Sequence, residues 1–203
     1  MNPRYDFPNV QIELVFFMAQ AKYERKEVIL RYTANFASLY GLNDLTIGKL
    51  AEQMNMSKAG LHGIFGSKMK LQLETIKYAG KIFAQEVIFP VRSLDGQEKI
   101  SGFCNNWLSY IDKKVFDGGC FFARITMEGA ALPDEVTQAV LKKFSLFRNI
   151  LTSEIKKSPS SQDAEQRSDQ LLALIVSYNW TVHSLKSSTA AASIKQLLLT
   201  LLH

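Results

Sequence analysis

The chain has 203 residues, 47% of them hydrophobic and 21% charged, with 11 glycines and 5 prolines, a composition that excludes a disordered or fibrous protein. Two cysteines, Cys104 and Cys120, are too few for a disulfide-stapled scaffold or a four-cysteine zinc site, and no metal or other cofactor is expected. The net charge is +5, with nine Lys and Arg against six Asp and Glu in residues 1–70 and 15 against 13 in the remainder. That concentration favours an anionic partner for the first third of the chain.

The apolar stretch from Val10 to Ala21 is broken by Gln11, Glu13 and Gln20, and is shorter than the ~20 apolar residues of a membrane span. Glu13 inside it also argues against a secretory signal, so a cytoplasmic location without membrane partners is expected. Residues 1–22 read either as an extra amphipathic helix laid over the first helix or as the result of an upstream start, with Met18 nearer the beginning. Ile29, Leu30, Thr33, Phe36, Ala37 and Tyr40 share one helical face, and Gly41 is placed to stop that helix. Thr46 stands at an N-cap before Ile47, Leu50, Ala51 and Met54, a helix of about two turns. Asn55 tolerates a left-handed turn, and Ser57 caps a third helix whose Leu61, Ile64 and Phe65 face inward.

Gly66 ends that helix. Ser67 caps a long fourth one, which runs toward Phe89 until Pro90 stops it. Further helices are predicted over about 98–113, 120–127, 134–157, 163–186 and 190–202. They are separated by a turn at Asp117-Gly118-Gly119, a break at Gly129 to Pro133 and a linker at Ser158-Pro159-Ser160-Ser161. No strand pair is expected, and the fold class is all-α.

Thr46 to Phe65 carries the functional signal. Two short helices meet at a tight turn with small Ala51 at the crossing, the pattern of a helix-turn-helix whose second helix enters the DNA major groove. The outward face of that helix offers Ser57, Lys58, Ala59, Gly60, His62 and Gly63, small or polar as the groove requires.

Ile29-Leu30 through Gly41, Thr46-Ile47 with Leu50-Ala51, Met56-Ser57-Lys58-Ala59 with Leu61, and Phe65 with Ser67-Lys68 and Leu71 together resemble the TetR family of bacterial transcriptional regulators. The resemblance is dense over the first quarter to third of the chain, and Gly118-Gly119-Cys120 followed by Phe121-Phe122 resembles one branch of the family. It implies a three-helix DNA-binding module with a helix-turn-helix and a larger helical body for ligand binding and dimerisation. On this chain these would be residues 23–66 and 67–203, with 1–22 as an extension.

The implied partners are a double-stranded DNA operator, a small-molecule effector and a second subunit, and the implied role is repression. By position and physics, Thr46 and Ser57 would meet phosphates at helix N-termini, and Lys49, Lys68 and Lys70 would add backbone charge contacts. Lys58 would reach a base edge or flanking phosphate, and Ala59 a thymine methyl. His62 stands where the family usually has a phosphate-binding tyrosine, and its charge is pH-dependent. Gly60 and Gly63 depart from the family and weaken the helix, so partial disorder without DNA and few base contacts are expected.

In the body, Trp107, Tyr110, Phe122, Met127, Phe144 and Trp180 are the candidates for lining an apolar pocket, within a larger aromatic set that mostly fills the core. Arg124, Glu128, Asn106 and His183 are its candidate polar anchors. Val136, Val140, Phe144, Phe147 and Leu151, with Leu171, Leu174, Ile175, Tyr178 and Val182, form apolar stripes on two helices, and the resemblance implies that these helices share them between the subunit core and a dimeric four-helix interface. Three histidines without metal-ligand spacing and the lack of a phosphate loop or nucleophile elbow speak against an enzyme. The alternative is a helical adaptor whose helix-turn-helix no longer selects a DNA site.

Overall fold

Without a glycine or proline between residues 9 and 40 to stop it, the first helix is long: α1 runs unbroken over Pro8–Tyr40. This is a computed structural model, which describes residues 8–157 and 163–202. Of the two readings of residues 1–22, the separate helix laid over the first is corrected over residues 8–22, which prolong α1; residues 1–7 and the expected linker at 158–161 lie outside the described residues. Gly41 ends α1 at a φ of 97°, a conformation that costs a residue without Cβ little.

The helices that follow are α2 (Ile47–Gln53), α3 (Lys58–Phe65), α4 (Lys68–Phe83), α5 (Gly96–Asp112), α6 (Phe121–Ile125), α7 (Asp134–Ile155), α8 (Ala164–His183) and α9 (Ser188–Leu202). Among the described residues there is no strand, and none of the helices is long and apolar enough to cross a membrane. The fourth helix departs from expectation in its last turns. It widens into a π-helical segment at Ala84–Ile88 and tightens into a 3-10 turn at Phe89–Val91 around Pro90, whose ring and missing N–H forbid a regular continuation.

Phe83 is the centre of the body. Its ring lies 4.3 Å from that of Phe147, 4.8 Å from Trp107, 5.6 Å from Tyr110 and 5.9 Å from Phe122, mostly edge-on, so α4, α5, α6 and α7 meet in one aromatic cluster. Helix α8 packs on α7 and α9, while α1 packs on α4 and α6. The turn before α6 is held to α1 by polar contacts. Asn35 and the Asp117 turn exchange two hydrogen bonds of 2.7 Å, and the Gly118 N–H donates to Ser38 Oγ at 3.0 Å.

Both cysteines are buried and free. Burial pushes the Cys104 thiol up to about 12 and the Cys120 thiol up to about 11. Both stay protonated at neutral pH, the opposite of a reactive thiolate. Cys120 serves the fold instead: its Sγ accepts from Trp107 Nε1–H at 3.2 Å and from the Ala123 N–H at the start of α6.

Glu154 is a buried carboxylate of the body. Burial alone would raise its pKa, but the Lys157 ammonium at 2.8 Å, the Gly96 N–H at 3.0 Å and the Lys99 ammonium at 3.2 Å outweigh it and hold the carboxyl below its ordinary value. A depressed folded-state pKa adds stability above the unfolded pKa, and that stability is lost as pH falls through the folded value. Glu154→Gln is expected to cost about 2 kcal/mol at neutral pH. In urea unfolding across a pH series, the gap to the parent closes below about pH 4.

Candidate nucleic-acid interface

Local side-chain caps build the helix pair. Thr46 Oγ1 accepts from the Lys49 N–H at 3.2 Å, Ser57 Oγ from the Gly60 N–H at 3.0 Å and Ser67 Oγ from the Lys70 N–H at 3.1 Å, each satisfying a donor that a helix start leaves open. Asn55 turns the chain at a φ of 49°, and the Met56 N–H returns to the Ala51 carbonyl at 2.9 Å. Leu50, Ala51, Leu61 and Phe65 are buried, with Met54, Met56 and Ile64 packed at their edge. That packing turns Ser57, Lys58, Ala59, Gly60, His62 and Gly63 outward as one continuous exposed face.

The cations flanking this face differ in what holds them. Lys58 and Lys70 are exposed and, among the described residues, no ion pair holds either. Lys49 lies 3.5 Å from Asp44 in an exposed pair, an interaction weak enough in water to exchange for a phosphate. Lys68 is turned away: its ammonium donates to the Asn43 carbonyl at 2.6 Å and reaches Asn43 Oδ1 at 3.4 Å. It holds the α1–α2 loop, and the charge at the start of α4 that faces outward is Lys70.

The two departures in α3 are not equivalent. A Cβ at Gly60 would sit 3.0 Å from Ser57 Oγ and press on the cap, whereas one at Gly63 meets nothing within 4 Å. Gly63→Ala is expected to raise stability by about 0.5–1 kcal/mol and to slow amide exchange in α3 of the DNA-free protein. Gly60→Ala gains less, and urea denaturation of the two variants side by side checks the order.

The loop after α1 is fixed from outside the helix pair. Gln72 Nε2 of α4 donates to the Leu42 carbonyl at 2.8 Å. Glu128, from the 3-10 stretch Thr126–Ala131 beyond α6, accepts the Leu42 N–H on one oxygen at 2.6 Å and the Asn43 N–H on the other at 2.8 Å. Glu128 thus faces the loop rather than an apolar pocket, correcting its reading as a ligand anchor. Gln72 and Asn43 escaped sequence reasoning, because nothing within a few positions of either residue signals the contact. Of the other proposed anchors, Asn106 donates to the Val87 carbonyl at 3.4 Å, and Arg124 and His183 are half-buried.

The six candidate pocket residues do not line one cavity. Trp107, Tyr110 and Phe122 are sealed within the aromatic cluster around Phe83, while Met127 and Trp180 are exposed. Phe144 stands between, 6.5 Å from Trp107 on one side and, on the other, in an open apolar groove with Met127, Leu172, Ala173, Val176 and Trp180. The stripes on α7 and α8 divide similarly. Val136, Val140, Phe147, Leu151, Leu171, Ile175 and Tyr178 are buried in the subunit, and Phe144, Leu174 and Val182 are half-buried. Leu141, one turn before Phe144, is exposed as well.

Residues 96–198 match the family described as tetracyclin repressor-like, C-terminal domain. No curated protein matches the chain. Among solved structures, it resembles a TetR transcriptional regulator from Chloroflexus aurantiacus at 18% identity and a TM-score of 0.75, covering 89% of this chain and 95% of that one. It resembles equally a TetR-family transcriptional regulator from Agrobacterium tumefaciens, at 17% identity and 0.75, covering 89% and 97%. AibR, solved in complex with isovaleryl coenzyme A and operator DNA, is similar at 16% identity and 0.64, covering 76% and 83%. The family match takes in about half of the chain and the fold likeness nearly all of it: the chain belongs to the TetR family of transcriptional regulators.

Proposed function

We propose that this regulator is a ligand-responsive repressor that binds a palindromic operator as a homodimer in the cytoplasm and leaves it when a small, largely apolar effector binds. In this reading, residues 23–66 form the DNA-binding domain and residues 67–203 the ligand-binding and dimerisation domain. The observation that carries it is the outward face of α3, small or polar over its whole length, on a helix whose opposite side is buried. Thr46, Ser57, Lys49 and Lys70 contact phosphates; Lys58, Ala59 and His62 face the groove. Lys68 acts by holding the loop that carries α2.

A second copy covers the groove between α7 and α8, where Met127, Phe144 and Trp180 join exposed Leu141, and an open apolar surface of this kind marks an interface. The effector enters the body by parting the aromatic cluster at Trp107, Tyr110 and Phe122. The AibR structure, which holds isovaleryl coenzyme A and operator DNA, brings both partner classes into this reading. Two DNA-binding modules presented by one dimer read half-sites about one helical turn apart, and an effector lowers affinity by preferring a different spacing.

Selection of binding sites by the purified protein from a random duplex library tests the reading. The expected product is an inverted repeat, bound with an affinity that falls steeply with salt yet stays site-selective. Salt-sensitive binding without selectivity would instead support the helical adaptor. A small-molecule release screen on the selected site then identifies the effector class.

A further inference from the structure

Three consecutive residues beyond α6 connect distant parts of the molecule. Met127 lines the α7–α8 groove, Glu128 holds the end of α1, and Gly129 leaves helical geometry at φ 53° and ψ −129°. The Glu128 carboxylate takes one backbone N–H on each oxygen, 85 and 86 residues away in sequence. The fit is close, since a Cβ at Gly41 would stand 2.9 Å from Glu128 Oε1. Two charge-assisted bonds to adjacent amides fix both position and direction, which a single bond or an apolar contact does not.

We propose that Glu128 is a positioning residue that sets the angle of the helix-turn-helix module on the body through the Leu42 and Asn43 amides. The loop it holds leads directly into α2, so a shift of the carboxylate tilts α2 and α3 together. The consequence at an operator rests on the DNA-binding reading above; the contact itself does not.

The test uses the full chain without DNA. Amide exchange is followed at Leu42 and Asn43, with α5 amides as the internal reference. The distance between spin labels at E52C and K113C is measured, the native cysteines being buried. E128Q keeps the volume but presents its NH2 group to one of the two donors; E128A removes the acceptor. Both are expected to speed exchange at the loop by about tenfold or more and to broaden the 52–113 distance, while α5 stays protected.

Parental exchange and distance in both variants would overturn the proposal. Parental behaviour of E128Q alone would overturn it too, leaving only a space-filling side chain. Equal loss of protection in α5 would make Glu128 a residue of general stability and overturn it as well. On a selected DNA site, E128A is expected to weaken binding about tenfold with an unchanged salt slope, because no phosphate contact is lost. If the parent selects no site, the DNA-binding reading fails while the exchange and distance measurements still decide the role of Glu128.

Discussion

Gly118→Ala is expected to destabilise the protein by about 3 kcal/mol or more, lowering its melting temperature by on the order of 10 °C. The Cβ would fall onto the Ser38 carbonyl oxygen and carbon and 2.8 Å from the Leu39 nitrogen. All three are backbone atoms of α1, which cannot swing aside as a side chain does. To admit the methyl group, α1 and the Asp117 turn must separate. The Gly118 N–H bond to Ser38 Oγ and the paired bonds between Asn35 and Asp117 then stretch or break. Scanning calorimetry of the variant beside Gly63→Ala, where the added methyl meets open space, separates the steric cost from any general effect of removing a glycine. A melting temperature equal to the parent's would mean that α1 and the turn do not pack as described.

Trp180→Glu is expected to convert the proposed dimer into monomers and to reduce operator affinity on the order of 10²–10⁴-fold. Trp180 is 43% exposed on α8 in the single subunit, beside Met127, Phe144 and Val176, so a carboxylate there remains solvated in the monomer and the fold survives. In the dimer the same carboxylate is carried out of water without a partner, which costs several kcal/mol. The loss at the operator follows from valency, because each half-site would be bound alone. Sedimentation velocity reports the mass and DNA titration at fixed salt reports the affinity. A dimeric Trp180→Glu protein would move the interface elsewhere, while a monomer with undiminished affinity would remove dimerisation from the DNA-binding account.

The helix-turn-helix was legible almost residue by residue. Thr46, Ser57 and Ser67 cap their helices, Asn55 takes the left-handed turn, Gly41 and Gly66 end theirs, and the apolar spacing of Leu50, Ala51, Leu61 and Phe65 names the buried side. The body was legible only as a sequence of helices. Spacing could not say that Trp107 and Phe122 face a sealed cluster while Met127 and Trp180, equally apolar, face outward. Nor could it tell Lys68, spent on the Asn43 carbonyl, from exposed Lys70 two positions on. The π-helical turn at Ala84–Ile88 was likewise invisible, since nothing in its residue types marks a widened helix.

What the sequence determined by itself is therefore what a residue does within about four positions of its own: caps, turns, helix ends and the apolar side of each helix. What only the tertiary structure decided is which apolar sides cover one another and which polar groups meet across long separations. The Glu128 carboxylate at the Leu42 and Asn43 amides and the absent Cβ of Gly118 against Ser38 are both of this second kind. The reason is physical: a cap is satisfied by backbone that its own helix places beside it, whereas a contact between helices exists only once packing has brought two distant segments together.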